Sequence, residues 1–297
     1  MTELDLSVNY MSGTLPSALM NGPRLKYLNL GVNFLSESIP DLYNTMSNLT
    51  QLQLNDNFFN GSLPVNIGYA TQLQVFDAGY NSITGPLPDS MQYLSELYYL
   101  YLATNSITGT LAPNLAVTSP LLSIIDLNQN LFTGLFPENI WELSYLQFVD
   151  VGTNGFTGTV PDTVGNAQYL YEINLSDNRF HGSVPDTIRL CTSMDFVNLY
   201  ANSFTGTVPN AFGALYEMKY LFLNDNEFTG TLPMSYASLS FLTRLDVDQN
   251  HITGTFPTAV SGWYYLQELN VYNNMISGTL PPELSQLPYL DTMLAGN

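Results

Sequence analysis

The segment Leu146-Gln147-Phe148-Val149-Asp150-Val151-Gly152-Thr153-Asn154-Gly155-Phe156-Thr157-Gly158-Thr159-Val160-Pro161 holds two apolar patterns separated by one asparagine. Ahead of Asn154 the apolar residues are Leu146, Val149 and Val151, and the closing spacing of two is that of a strand with one buried face. Behind it, Phe156 and Val160 alternate with Thr157 and Thr159 around Gly158. Pro161 then ends the stretch, because it has no N–H to give to a ladder. This second pattern predicts a short second strand. Asp162-Thr163-Val164, leading towards Leu170, spaces its apolar residues about three apart, which suits a helical or 3₁₀ turn.

The asparagine recurs at Asn9, Asn33, Asn57, Asn81, Asn105, Asn130, Asn154, Asn178, Asn202, Asn226, Asn250 and Asn274, at intervals of 24 residues with one of 25. The extra residue lies between Gly109 and Leu122, where Gly-Thr-Leu-Ala-Pro replaces the usual Gly-x-Leu-Pro. It is expected to bulge a loop without changing the strand register. One coil of this length has nothing to pack against, so its apolar residues are buried only when neighbours stack at about 4.8 Å. The asparagine follows the strand, where the chain turns inward and water cannot reach the backbone. Its amide donates two hydrogen bonds and accepts others, which predicts a structural ladder; each group left unsatisfied there would cost about 1–3 kcal/mol.

The pattern Leu-x-x-Leu-x-Leu-x-x-Asn-x-Phe-Thr-Gly-Thr-Val/Leu-Pro resembles the plant-specific class of leucine-rich repeat, and the resemblance covers nearly the whole chain. It implies an α/β solenoid, a right-handed curved superhelix with a parallel β-sheet on the concave face. Short second strands and 3₁₀ or helical turns would lie on the convex side. Twelve full 24-residue repeats and a partial one would form a single array over residues 1–297. Members of the class include ectodomains of receptor-like kinases and receptor-like proteins, and polygalacturonase-inhibiting proteins. The implied role is a non-enzymatic scaffold binding a protein, peptide or glycan on its concave face, outside the cell or at its surface. Such ectodomains usually carry paired-cysteine caps and often a basic or mixed surface, whereas this chain has one cysteine and a formal charge of -19. Met1, Leu4 and Leu6 already occupy strand positions, and Leu290, Met293 and Ala295 open a thirteenth coil, so both ends are expected to be uncapped. Self-association through those ends would instead make the chain a matrix, wall or filament component.

Six Lys and Arg stand against 25 Asp and Glu, a field that repels phosphate backbones and anionic membranes, so nucleic acid is not an expected partner. No run of about 18 apolar residues occurs, and Met1 leads straight into repeat sequence, so this segment is expected neither to insert in a membrane nor to carry a signal. Cys191 takes a place held elsewhere by Leu94, Leu143, Leu215, Leu239 and Leu287, which reads as a core thiol. His181 and His251 fall in unrelated columns with no nucleophile beside them, so no catalytic residue, no His/Cys metal site and no cofactor is expected.

Between the buried leucines of the first strand, one outward column reads Asp5, Asn29, Gln53, Asp77, Tyr101, Asp126, Asp150, Asn174, Asn198, Phe222, Asp246 and Asn270. Adjoining columns add Asp56, Asp177, Asp225 and Asp248. Such acidity suits a solvated face, a cationic partner or bound calcium. Aromatic residues interrupt it at Tyr27, Tyr99, Phe148, Phe196 and Tyr220. Tyr99 with Tyr101, and Phe196, Tyr200, Tyr220 and Phe222 with Asp225, Asp246 and Asp248 around them, are the candidate ligand-binding residues; cross-strand stiffening explains the aromatics equally well. The second strands display Thr108, Thr133, Thr157, Thr205, Thr229 and Thr253 beside Thr110, Thr159, Thr207, Thr231, Thr255 and Thr279, a lattice whose spacing also suits ice binding. Sequons at Asn48, Asn60 and Asn174 are candidate glycosylation sites and agree with secretion.

Overall fold

The computed structural model describes residues 1–41, 46–258 and 260–296. Two compact units divide it: Met1–Tyr145 with Asp150–Phe156, and Leu146–Val149 with Thr157–Asn297. Each is a stack of coils built from the same parts. In the first, the strands Glu3–Asp5, Tyr27–Asn29, Gln51–Gln53, Val75–Asp77, Tyr99–Tyr101 and Ile124–Asp126 pair in parallel and in chain order. In the second, Glu172–Asn174, Phe196–Asn198, Tyr220–Phe222, Arg244–Asp246, Glu268–Asn270 and Thr292–Leu294 do the same. The middle residues of the interior strands, such as Leu52, Leu100, Val197 and Leu245, are buried, and their neighbours face outward as a period of two requires.

The extra residue of the long coil leaves the register untouched, since Ile124 still pairs with Tyr99. It does not bulge a loop. Thr118 N–H donates to Asn114 O and Ser119 N–H to Leu115 O, making one α-turn over Leu115–Thr118. Other coils use 3₁₀ turns at this place, such as Asp162–Asn166 and Asp186–Leu190. The α-turn takes more residues per turn than a 3₁₀ turn, so it absorbs the insertion without moving the strands.

Within each unit, ladder asparagines are tied both within their own coil and to the preceding one. Asn57 Nδ2 contacts Leu30 O at 3.0 Å, Leu54 O at 3.2 Å and Asn55 O at 3.1 Å, while its Oδ1 accepts Leu35 N–H at 3.0 Å. Asn226 repeats this in the second unit, on Leu199 O, Leu223 O, Asn224 O and Phe204 N–H. Two residues beyond the asparagine, Phe132 and Phe156 stack in the first unit, and Phe180, Phe204 and Phe228 in the second, all fully buried. Buried polar tips also reach back one coil: Tyr236 OH donates to Pro209 O and Trp263 Nε1 to Tyr236 O. On the turn side the coils approach so closely that a Cβ at Gly262 would overlap the Ala237 carbonyl.

Second strands are regular in the first unit, as in Phe58–Gly61 beside Ser82–Pro86. In the second unit Arg179–Gly182 pairs with Ser203–Phe204, after which a single bridge joins Thr207 and Thr229. Hydrogen bonds nevertheless continue from Thr253 N–H to Gly230 O and from Ser277 N–H to Gly254 O. Cys191 is buried with its Sγ 3.3 Å from Val164 O, and desolvation pushes its pKa up to about 11. Among the described residues no helix is long and apolar enough to cross a membrane.

Candidate functional site

The outward face of the first strands has an internal logic that residue charge conceals. In nine coils the Asp or Asn ending the strand accepts the N–H two residues on: Asp5, Asn29, Asp77, Asp126, Asp150, Asn174, Asn198, Asp246 and Asn270, at 2.9–3.2 Å. This is an Asx turn, which an amide oxygen serves as well as a carboxylate, and it explains why Asp and Asn interchange in the column. The acidity is therefore partly a by-product of turn chemistry. Tyr101 and Phe222 cannot make that turn, and both belong to aromatic clusters.

In the first unit the Tyr98 and Tyr99 rings meet edge to face at 4.6 Å, and Tyr99 lies 5.9 Å from Tyr101. In the second, Phe196 is 6.0 Å from Tyr220 and 5.8 Å from Phe222, and Tyr220 stacks on Phe222 at 6.5 Å. Tyr220 keeps 38% of its surface exposed. Tyr200 is exposed on the same coil as Phe196 but makes no ring contact with this group. Tyr27 serves differently: its hydroxyl lies 3.2 Å from both Asp5 and Gln53 carboxyl or amide oxygens, a cross-strand tie.

Arg244, which sequence reasoning passed over, sits one register step from Tyr220 with its guanidinium carbon 5.0 Å from the centre of the Phe222 ring. It also pairs with Glu268 at 3.0 Å and Asp246 at 3.7 Å. Following the Phe196–Tyr220 column one coil further would have found it. Asp246 is only 4% exposed, so it lies under this cluster instead of rimming it; Asp225 is exposed and Asp248 half-buried.

Burial pushes the Asp77, Asp126 and Asp246 carboxyls up to about 6, against the pull of the backbone N–H each accepts. A carboxyl whose pKa is higher folded than unfolded holds its proton more tightly in the native state. Its stabilising protonation is lost as pH rises from about 4 through the folded value. The thermal midpoint should therefore be several degrees higher at pH 5 than at pH 7.5, and Asp126→Asn, which keeps the acceptor oxygen, should raise the midpoint at pH 7.5 and narrow the difference. Calorimetry at both pH values checks this; a maximum at pH 7.5 would contradict it.

On the second strands Thr229 Oγ1 donates to Gly206 O, Thr253 Oγ1 to Gly230 O and Ser277 Oγ to Gly254 O. These three hydroxyls spend their protons on the fold. Asn48 and Asn60 are exposed, whereas Asn174 is half-buried and its Oδ1 accepts from Ser176 N–H and Oγ. His181 and His251 are exposed and separate. Among the described residues no group of three or more His, Cys, Asp or Glu is gathered where it could hold a metal ion.

A family model for the Leucine Rich Repeat matches residues 169–191, 241–263 and 265–287. A solved leucine-rich-repeat protein of Leptospira interrogans shares 30% identity, covering 97% of this chain and 70% of its own, with a TM-score of 0.71. The chain belongs to the leucine-rich-repeat family. This leucine-rich-repeat chain is also similar to the plant peptide hormone receptor RGFR1 in complex with RGF2, at 29% identity and a TM-score of 0.92, over 100% of this chain and 47% of that one. The Arabidopsis receptor kinase HAESA, in complex with the peptide hormone IDA and the co-receptor SERK1, gives 30% identity and a TM-score of 0.92 over 99% of this chain and 53% of its own. The leucine-rich-repeat chain thus spans about half the length of these receptor chains. No curated protein matches the sequence.

Proposed function

We propose that this leucine-rich-repeat chain is a non-enzymatic recognition module, extracellular or at the cell surface, that binds a peptide or an extended protein segment on the face of its first strands. The observation that carries the reading is the surrender of the Asx turn at Tyr101 and Phe222. Nine other coils keep a hydrogen bond there and Gln53 lacks it without a ring, so that only at Tyr101 and Phe222 does an aromatic ring take the place and join a partly exposed cluster. Aromatic rings bury large area for little lost rotamer freedom, which suits ligand anchoring. The similar receptors RGFR1 and HAESA, solved with peptide hormones, support a peptide over a glycan. The Thr229, Thr253 and Ser277 hydroxyls, committed to Gly206, Gly230 and Gly254, weigh against ice binding.

The test replaces each aromatic with the residue the column otherwise uses. Peptides are selected from a random display library against the full chain, and their affinities are compared for Tyr101→Asn and Phe222→Asn. Recognition predicts that at least one of these variants loses about tenfold or more in affinity, the scale of an interface anchor. The restored Asx turn should hold the thermal midpoint near its parent value. Lower stability with unchanged affinity in both variants would mean that the rings merely stiffen the sheet.

A further inference from the structure

Beside the Tyr98–Tyr99 pair, a pocket of about 300 Å³ opens at the leading edge of the first strands, lined by Gln51, Gln74, Glu96, Tyr98, Tyr99 and Leu121 among others. The position of its walls follows from the backbone. Gln74 O accepts the N–H groups of both Tyr98 and Tyr99, which holds the Gln74 coil against the tyrosines, and Gln51 pairs with Val75, which pairs with Tyr99. Tyr98 meets Tyr99 nearly at right angles, at 79°, so the two rings present walls of different orientation. The polar groups of the lining are two neutral amides, two phenols and one carboxylate, Glu96, with no basic side chain.

We infer that this pocket receives a lysine or arginine side chain of the bound ligand, an inference that rests on the peptide-binding reading above. Aromatic walls bind the methylene stem and attract the cationic head, and a carboxylate in a half-buried setting supplies its counter-charge. Charge complementarity selects the occupant: the unit carries twelve Asp and Glu against Arg24 and Lys26, so an anionic side chain would be repelled and a neutral one would leave Glu96 unanswered. The second unit offers a contrast. There Arg244 of the chain itself occupies the Phe222 ring and pairs with Glu268. At Tyr98 and Tyr99 the same combination of ring and carboxylate has no cation of this chain among its lining residues.

The probes are N-acetyl-Gly-Arg-Gly-amide and its citrulline counterpart, which has nearly the same shape without the charge, titrated into the full chain. The arginine peptide should bind roughly tenfold more tightly, the size of one charge-assisted contact, and the preference should shrink as salt rises. Glu96→Gln and Tyr98→Leu should each abolish the preference, whereas Tyr98→Phe, which keeps the ring, should retain it; thermal midpoints confirm that each variant is folded. Equal binding of the two probes, or a preference that survives Glu96→Gln and Tyr98→Leu in folded protein, would overturn the inference. Library-selected peptides that need Tyr101 or Phe222 but show no dependence on a basic residue would overturn it while leaving the peptide reading intact. An arginine preference that needs Glu96, found in a chain whose selected peptides ignore Tyr101 and Phe222, would support the pocket and sink the broader reading.

Discussion

Phe204→Ala will destabilise the second unit by about 3–5 kcal/mol, the cost of deleting a large buried ring from a core that cannot collapse around the void. Phe204 is fully buried and stacks on Phe180 at 6.3 Å and on Phe228 at 6.2 Å, with the rings within 4° of parallel. A coil has no core of its own, so a cavity at Phe204 removes contact from the coils on both sides at once. The backbone around it is pinned by Asn226 and cannot move inward to fill the space. Denaturant unfolding with a coil-specific probe measures the loss, and a change below about 1 kcal/mol would show that the phenylalanine column is not what holds the coils together.

Asn226→Ala should cost about 3 kcal/mol or more, because it strands several buried backbone groups together. Asn226 Nδ2 serves the carbonyls of Leu199, Leu223 and Asn224 at 2.8, 3.2 and 3.1 Å, and Oδ1 takes the Phe204 N–H at 2.9 Å. Asn226→Asp is the sharper companion. It keeps the acceptor for Phe204 but removes both donors and puts a carboxylate beside three carbonyls, so it should be at least as damaging at pH 7 and recover in acid. Equal midpoints for parent and Asn226→Ala in urea would remove the ladder from the account.

The elements legible in the sequence were those that repeat with a single chemical purpose. Asn57 and Asn226 declare the coil period, and Leu52 or Leu245 the buried face of the strand, because the ladder column is always asparagine and the mid-strand column always apolar. Where two roles share one column, the sequence hides one of them. Asp126 and Asn198 look like members of an acidic face, yet both are Asx caps, and only the interchange of Asp with Asn carried the signal. Backbone strain left no signal. The residue before each ladder asparagine is left-handed, with φ of 54° at Val8, 56° at Val32 and 52° at Ala201, and nothing in that mixture announces a conformation that β-branched residues resist. It is imposed by the amide bonds on either side. Arg244 was missed because pairing across coils, not neighbourhood along the chain, brings it to Phe222.

If ligand binds the face of the first strands, photocrosslinking will mark that face. A library-selected peptide carrying a photoreactive side chain is bound to the full chain, irradiated, and the adducts are located by mass spectrometry. Adducts are expected on outward first-strand positions such as Tyr99, Tyr101, Phe196, Tyr220 or Phe222. Adducts concentrated instead on the exposed turn-side aromatics Tyr216, Phe241, Tyr264 and Tyr289, with those strand residues unlabelled, would contradict it.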